Sequence, residues 1–113
     1  MLRDVTDMKT LCSVEDLIAN SGICALHEGE QVALFYLPED EKKVYAIGNH
    51  DPFSGANVIS RGIIGSITGK KVGASPIYKQ HFELGSGQCI EDENVSLKTY
   101  DVDLVDDQVM IRT

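Results

Sequence analysis

Apolar residues come in short, β-rich runs along this chain rather than in the three-to-four spacing of helices. "GICALH" and "QVALFYL" are two such runs, separated by "EGE", and Gly29 supplies the turn of a hairpin. "PEDEK" then turns the chain into "KVYAI" (43–47), which predicts a third strand and a meander. Near the end, Tyr100, Val102 and Leu104 alternate with Asp101 and Asp103, the period of a half-buried strand. "DDQ" turns that strand into "VMIRT", a closing hairpin. The one helical candidate is short. Ser13 can cap "VEDLIAN", with Glu15 and Asp16 in the first turn and Asn20 to Gly22 ending it after a turn or two. The pattern predicts an all-β fold, a small antiparallel barrel or sandwich without βαβ units.

The stretch from Gly48 to Gly87 differs. It is rich in Gly, Ser and Pro, and its strands are cut into "GIIGSI", "KVGASPI" and "HFEL". Loops in such number within a small domain point to a binding role. "GSITGKK" looks like a phosphate loop, but Ile64 and Lys71 stand where Gly and Ser or Thr are needed. A β-turn with Gly69 at positive φ is expected instead.

At 113 residues the chain has room for one domain, 1–113, and one core. A net charge of −8 excludes a nucleic-acid partner, which needs clustered Lys and Arg, and disfavours anionic lipid. A basic protein surface is the natural complement. "MLRDVTDMKTLC" has no apolar core and carries Asp4 and Asp7, so no signal peptide is expected, and no apolar run is long enough to span a membrane. The three cysteines, Cys12, Cys24 and Cys89, form no CxxC pair, and buried reduced thiols in a cytoplasmic protein are expected.

Two segments stand out from the Gly-rich middle, "NHDPF" (49–53) and "SPIYKQHFELGSGQC" (75–89). Together they resemble the two ligand loops of the Rieske iron–sulfur fold, in which two Cys hold one iron and two His the other. Asn49 and Pro52 keep the frame of the first loop, "ISRGII" resembles the stretch that follows it, and Pro76, Phe82, Glu83, Gly85 and Gly87 keep the frame of the second. On that frame Asp51 and Phe53 stand at the first Cys and His, and Ser75 and Tyr78 at the second. All four ligands are replaced. Such a frame, with Asp-Pro-Phe in one loop and Ser-Pro in the other, is similar to the small-subunit family of the cytoplasmic NAD(P)H-dependent nitrite reductases. The resemblance runs the length of the chain. It implies a non-catalytic accessory subunit with no cofactor of its own, whose large-subunit partner carries FAD, an iron–sulfur cluster and sirohaem and reduces nitrite to ammonium.

The replacements imply no metal. A [2Fe–2S] cluster wants thiolate or imidazole donors, and Phe53 has none. Phe53 and Tyr78 are expected to fill the vacated space with ring area, and Asp51 and Ser75 to bond loop amides. His50 and His81 have no nucleophile or orienting group at a telling spacing and are expected on the loop surface, where they and Lys79 can contact a partner. The acidic residues after Cys89 raise its thiol pKa and argue against a nucleophile. Three rival readings stand beside the accessory subunit: an electron-transfer ferredoxin with oxygen ligands, a free-standing enzyme using Cys89 or His81, and an interaction module for another redox enzyme such as an oxygenase.

Overall fold

The computed structural model describes residues 7–112. Ten strands run in order: β1 (Met8–Ser13), β2 (Ser21–His27), β3 (Glu30–Tyr36), β4 (Val44–Gly48), β5 (Ile63–Ile67), β6 (Lys70–Ala74), β7 (His81–Glu83), β8 (Thr99–Tyr100), β9 (Val102–Val105) and β10 (Gln108–Arg112). They form three antiparallel sheets, a central one in the order β2-β3-β4-β8, a terminal one in the order β1-β10-β9, and a loop-bearing one in the order β5-β6-β7.

The central sheet separates two cores, which explains its unbroken apolar runs. Val32 and Leu34 of β3 and Val44 and Ala46 of β4 pack with Val102, Val109 and Ile111 of the terminal sheet. Ala33, Phe35 and Ile47 point the other way, against Phe82, Leu84 and Cys89. A strand buried on both faces loses the polar alternation of a half-exposed one. Full burial of each such side chain contributes about 1.5–3 kcal/mol, and Phe35, Phe82, Leu34 and Ile47 are all fully buried.

Three two-residue hairpin turns match the right-handed twist of their strands. Each holds both central residues at positive φ: Glu28 and Gly29, Thr68 and Gly69, Asp106 and Asp107. "GSITGKK" is thus a hairpin, β5 to β6, as its turn chemistry predicts.

The expected helix shrinks to a 3-10 turn over Val14–Asp16. Its capping signal is real. Ser13 Oγ accepts from the Glu15 amide, and the Asp16 carboxylate accepts from the Ser13 amide at 3.0 Å. Leu17 is extended and packs on the terminal core, and Asn20, at positive φ, donates its N–H to the Tyr36 carbonyl. Tertiary burial overrides the helical pattern there. The strand expected over 100–104 is divided between sheets: Tyr100 pairs with Ala46 in the central sheet and Val102 with Ile111 in the terminal one. Asp101 sits at the break, where its carbonyl accepts from the Arg112 amide and its carboxylate from Arg112 Nε at 3.0 Å. β1, which no local pattern marks, pairs with β10. Residues 1–6 of the stretch read against a signal peptide, and Thr113 of the closing strand, lie outside the described residues.

Candidate functional site: two loops joined by a buried carboxylate

The first loop leaves β4 at Asn49, a buried side chain whose hydrogen-bonding groups are taken up. Its Nδ2 donates to Gln31 Oε1 at 3.0 Å and to the Asn57 carbonyl at 3.1 Å, and its Oδ1 accepts from the Ser60 amide at 2.7 Å. Asn49 therefore ties both ends of the loop to β3, a role that its place in the sequence frame does not reveal. His50, next along, is exposed, with Nδ1 3.0 Å from Asn57 Oδ1. It borders a groove of about 490 Å³ that also takes in Pro52, Lys98 and Tyr100.

Asp51 is fully buried. Its Oδ1 accepts from the Phe53 amide at 2.9 Å, the short-range turn expected of it. Its Oδ2 accepts from Ser75 Oγ at 2.5 Å, so the two positions aligned with the Rieske cysteines are bonded directly to each other across the loops. Burial pushes the Asp51 carboxyl up, but the hydrogen bonds from Ser75, Phe53 and Ser54 outweigh it and hold the carboxyl below its ordinary range. Ser75 Oγ also accepts from the Ile77 amide, at 3.4 Å.

Phe53 packs as expected, half-buried against Phe82 with ring centroids 6.3 Å apart. Tyr78 does not fill the vacated space. Its side chain is 61% exposed, because the turn after Ser75 closes through the Lys79 amide onto the Ser75 carbonyl and aims Tyr78 at solvent. Lys79 is at positive φ and exposed, and its Nζ donates to the Pro76 carbonyl at 3.0 Å.

His81 is tied down by Glu91. The carboxylate accepts the His81 amide at 2.7 Å and faces ring Nδ1 at 2.5 Å, which places the proton on Nδ1, since a carboxylate only accepts. Burial raises the Glu91 carboxyl, and the His81 bonds more than offset this, leaving it below its usual range. Gln88 organises the acidic loop: its Nε2 lies 3.0–3.3 Å from the carbonyls of Cys89, Asp92, Glu93 and Val95. Burial, with the Glu91 charge adding to it, pushes the Cys89 thiol up, the opposite of what a nucleophile needs. All three cysteines are free, but only Cys89 is buried. Cys24 is exposed because it lies on the outward row of β2, and Cys12 is partly covered.

A [2Fe–2S] cluster does not suit this donor set. Asp51 and Ser75 offer hard oxygens already spent on each other, Phe53 offers nothing, and Tyr78 points away. Among the described residues no three His, Cys, Asp or Glu side chains come together as a metal site.

The architecture and loops define a class. The Rieske-like [2Fe-2S] domain family matches residues 7–112, and the chain belongs to it. Within that class it belongs with the nitrite reductase small subunits. The nitrite reductase (NADH) small subunit of Salmonella typhimurium is 43% identical over 108 residues, covering 96% of this chain and 99% of that one. The NMR structure of Escherichia coli NirD superposes with a TM-score of 0.83 at 41% identity, covering 93% of this chain and 94% of that one. A stretch of the NAD(P)H nitrite reductase large subunit of Klebsiella oxytoca is 30% identical over 103 residues, 91% of this chain and 10% of that protein.

Proposed function

We propose that this chain is the small subunit of a cytoplasmic NAD(P)H-dependent nitrite reductase, a non-catalytic domain that docks on the large subunit and supports its reduction of nitrite to ammonium. The carrying observation is the buried Asp51–Ser75 bond. It holds both loops in the frame of an electron-transfer domain while removing the donors that electron transfer through a cluster requires. Loop shape is kept and redox chemistry is not, which fits docking better than relay. The FAD, iron–sulfur cluster and sirohaem belong to the large subunit in this reading. The Klebsiella oxytoca large subunit supports the pairing, since a domain of this kind lies there within the large subunit's own polypeptide. His50 and Lys79 on the loops, and His81, which the structure places half-buried at the start of β7 rather than on a loop, are the side chains proposed to contact the partner.

The test is a titration of the matching large subunit with the domain, following binding and nitrite-dependent NADH oxidation together. The isolated domain should oxidise neither NADH nor NADPH with nitrite. Its addition should raise the large subunit's activity or melting temperature. Two proteins that never associate at micromolar concentrations, with activity unchanged, would overturn the proposal.

A further inference from the structure

Sheet β5-β6-β7 carries a solvent-facing row that its sequence does not announce. Ile64 pairs with Gly73, Gly73 with Phe82, and Phe82 bridges to Cys89. That row faces the core, where Phe82 and Cys89 are buried. Successive side chains on a strand point to opposite faces, and the adjoining row, at the loop end of the sheet, is turned outward: Ile63 opposite Ala74, and Ala74 opposite His81. Two residues along β6 on that same face Val72 is already buried, so the open part is this end of the sheet. Ile90 extends the row, its amide donating to the His81 carbonyl at 2.8 Å. Ile63 is 77% exposed and Ile90 38%. The loop joining β6 to β7, at the end of this row, adds Ile77 and Tyr78, 44% and 61% exposed. Four of the six large exposed apolar side chains among the described residues thus gather on this sheet, its loop and the segment that follows β7; the other two are Ile18 and Leu26.

Scattered exposed apolar residues are ordinary, but a group rimmed by polar side chains marks an interaction surface. The rim here is charged, with Arg61 exposed two residues before Ile63. Glu91 and Glu93 are exposed beside Ile90, with Lys79 at the loop. The Glu91–His81 bond fixes the middle of the row, so the surface is ordered before any partner arrives.

Resting on the accessory-subunit reading, we infer that this loop end of the β5-β6-β7 sheet, with Ile63, Ile77, Tyr78 and Ile90 at its centre, is the surface that docks on the large subunit, against an apolar patch edged by Lys or Arg. The occupant is the large subunit, because the domain's relatives are subunits and a net charge of −8 calls for a basic counterpart. An apolar centre within a charged rim is the usual anatomy of such contacts. Tyr78 is the natural anchor, since exposed Tyr is prominent among residues that dominate binding.

Single variants Ile63→Glu, Tyr78→Glu and Ile90→Glu each place a charge where the side chain is already partly or largely in water, and melting curves check that they stay folded. Leu26→Glu, on the edge strand β2 and 70% exposed in the parent, is the control. Binding of each to the purified large subunit is measured by calorimetry. The three face variants should weaken binding at least about tenfold, the size expected when a central contact is lost, and Leu26→Glu should leave it unchanged. Unchanged binding by the face variants, or a loss confined to Leu26→Glu, overturns the assignment while leaving the accessory role standing. A face whose variants alter only self-association of the domain belongs to a second copy of the chain, which also overturns it. Failure of the parent domain itself to bind sinks the accessory role, and this surface with it.

Discussion

Ser75 and Asp51 sit 24 positions apart, and no spacing rule links them. What brought them together in the sequence was their shared alignment with a lost pair of cysteines. Even so, the alignment did not disclose that they bond to each other. Removing the Ser75 hydroxyl leaves a buried carboxylate short of its strongest partner, a loss of about 1.5–3 kcal/mol for a bond to a charged group. The pH dependence follows from the depressed Asp51 carboxyl. A carboxyl held low in the folded state contributes stability above its unfolded pKa of about 3.9, and the contribution fades as pH falls through the folded value. Ser75→Ala should therefore be less stable than the parent at neutral pH, with the gap narrowing below about pH 4. Urea melts at several pH values check this, and a gap that stays constant down to acid pH would show that the carboxylate is not the group at stake. Tyr78 teaches the converse lesson. Its alignment with a ligand position suggested an inward ring, but the direction of a side chain in a tight turn is set by backbone φ and ψ that residue identity alone does not supply.

At the scale of elements, the sequence was clearest where contacts are local. The β2–β3 turn was readable because Gly29 and its flanking runs lie within a few residues of each other. β1 was invisible because its partner lies at the other end of the chain. The 3-10 turn is shorter than its cap predicts because Leu17, partly buried on the terminal core, is held extended, which a cap does not signal. Gly87 shows how one element is pinned by another. It closes the turn after β7, with its amide on the Glu83 carbonyl at 2.7 Å and its own carbonyl taking the Leu97 amide. Its φ is 77°, and a Cβ there would stand 2.1 Å from the Leu97 carbonyl oxygen. Gly29 has a similar φ of 81° but open space around it. Gly29→Ala should cost about 1–2 kcal/mol, the left-handed penalty alone. Gly87→Ala must also push backbone aside and should lose roughly 3 kcal/mol or more. Thermal melts of the two variants would separate them, and equal losses would mean that the loop around Leu97 yields freely.

For the whole molecule, the charge of −8 is the dominant long-range property. Encounter with a basic partner face is accelerated at low ionic strength and slowed as the screening length shortens to about 8 Å at physiological salt. Stopped-flow association with the large subunit should slow with added salt while dissociation changes little. An association rate indifferent to salt would place the acidic surface away from the docking path. The sequence frame led correctly to the class, because two loop frames and four replacements agree with one another; the docking face was not readable, since it depends on which row of a twisted sheet points outward.

The pairing of β1 with β10 bears on time as well as shape. Thr10 meets Met110 from 100 positions away, so the terminal sheet cannot begin to zip until nearly all of the described chain is available. Closing so long a loop is entropically slow, and β-domains built on distant pairings refold over about milliseconds to seconds. During synthesis the central sheet therefore stands with one apolar face uncovered until β9 and β10 emerge. A chaperone, or an already folded partner, has that interval in which to meet the nascent chain.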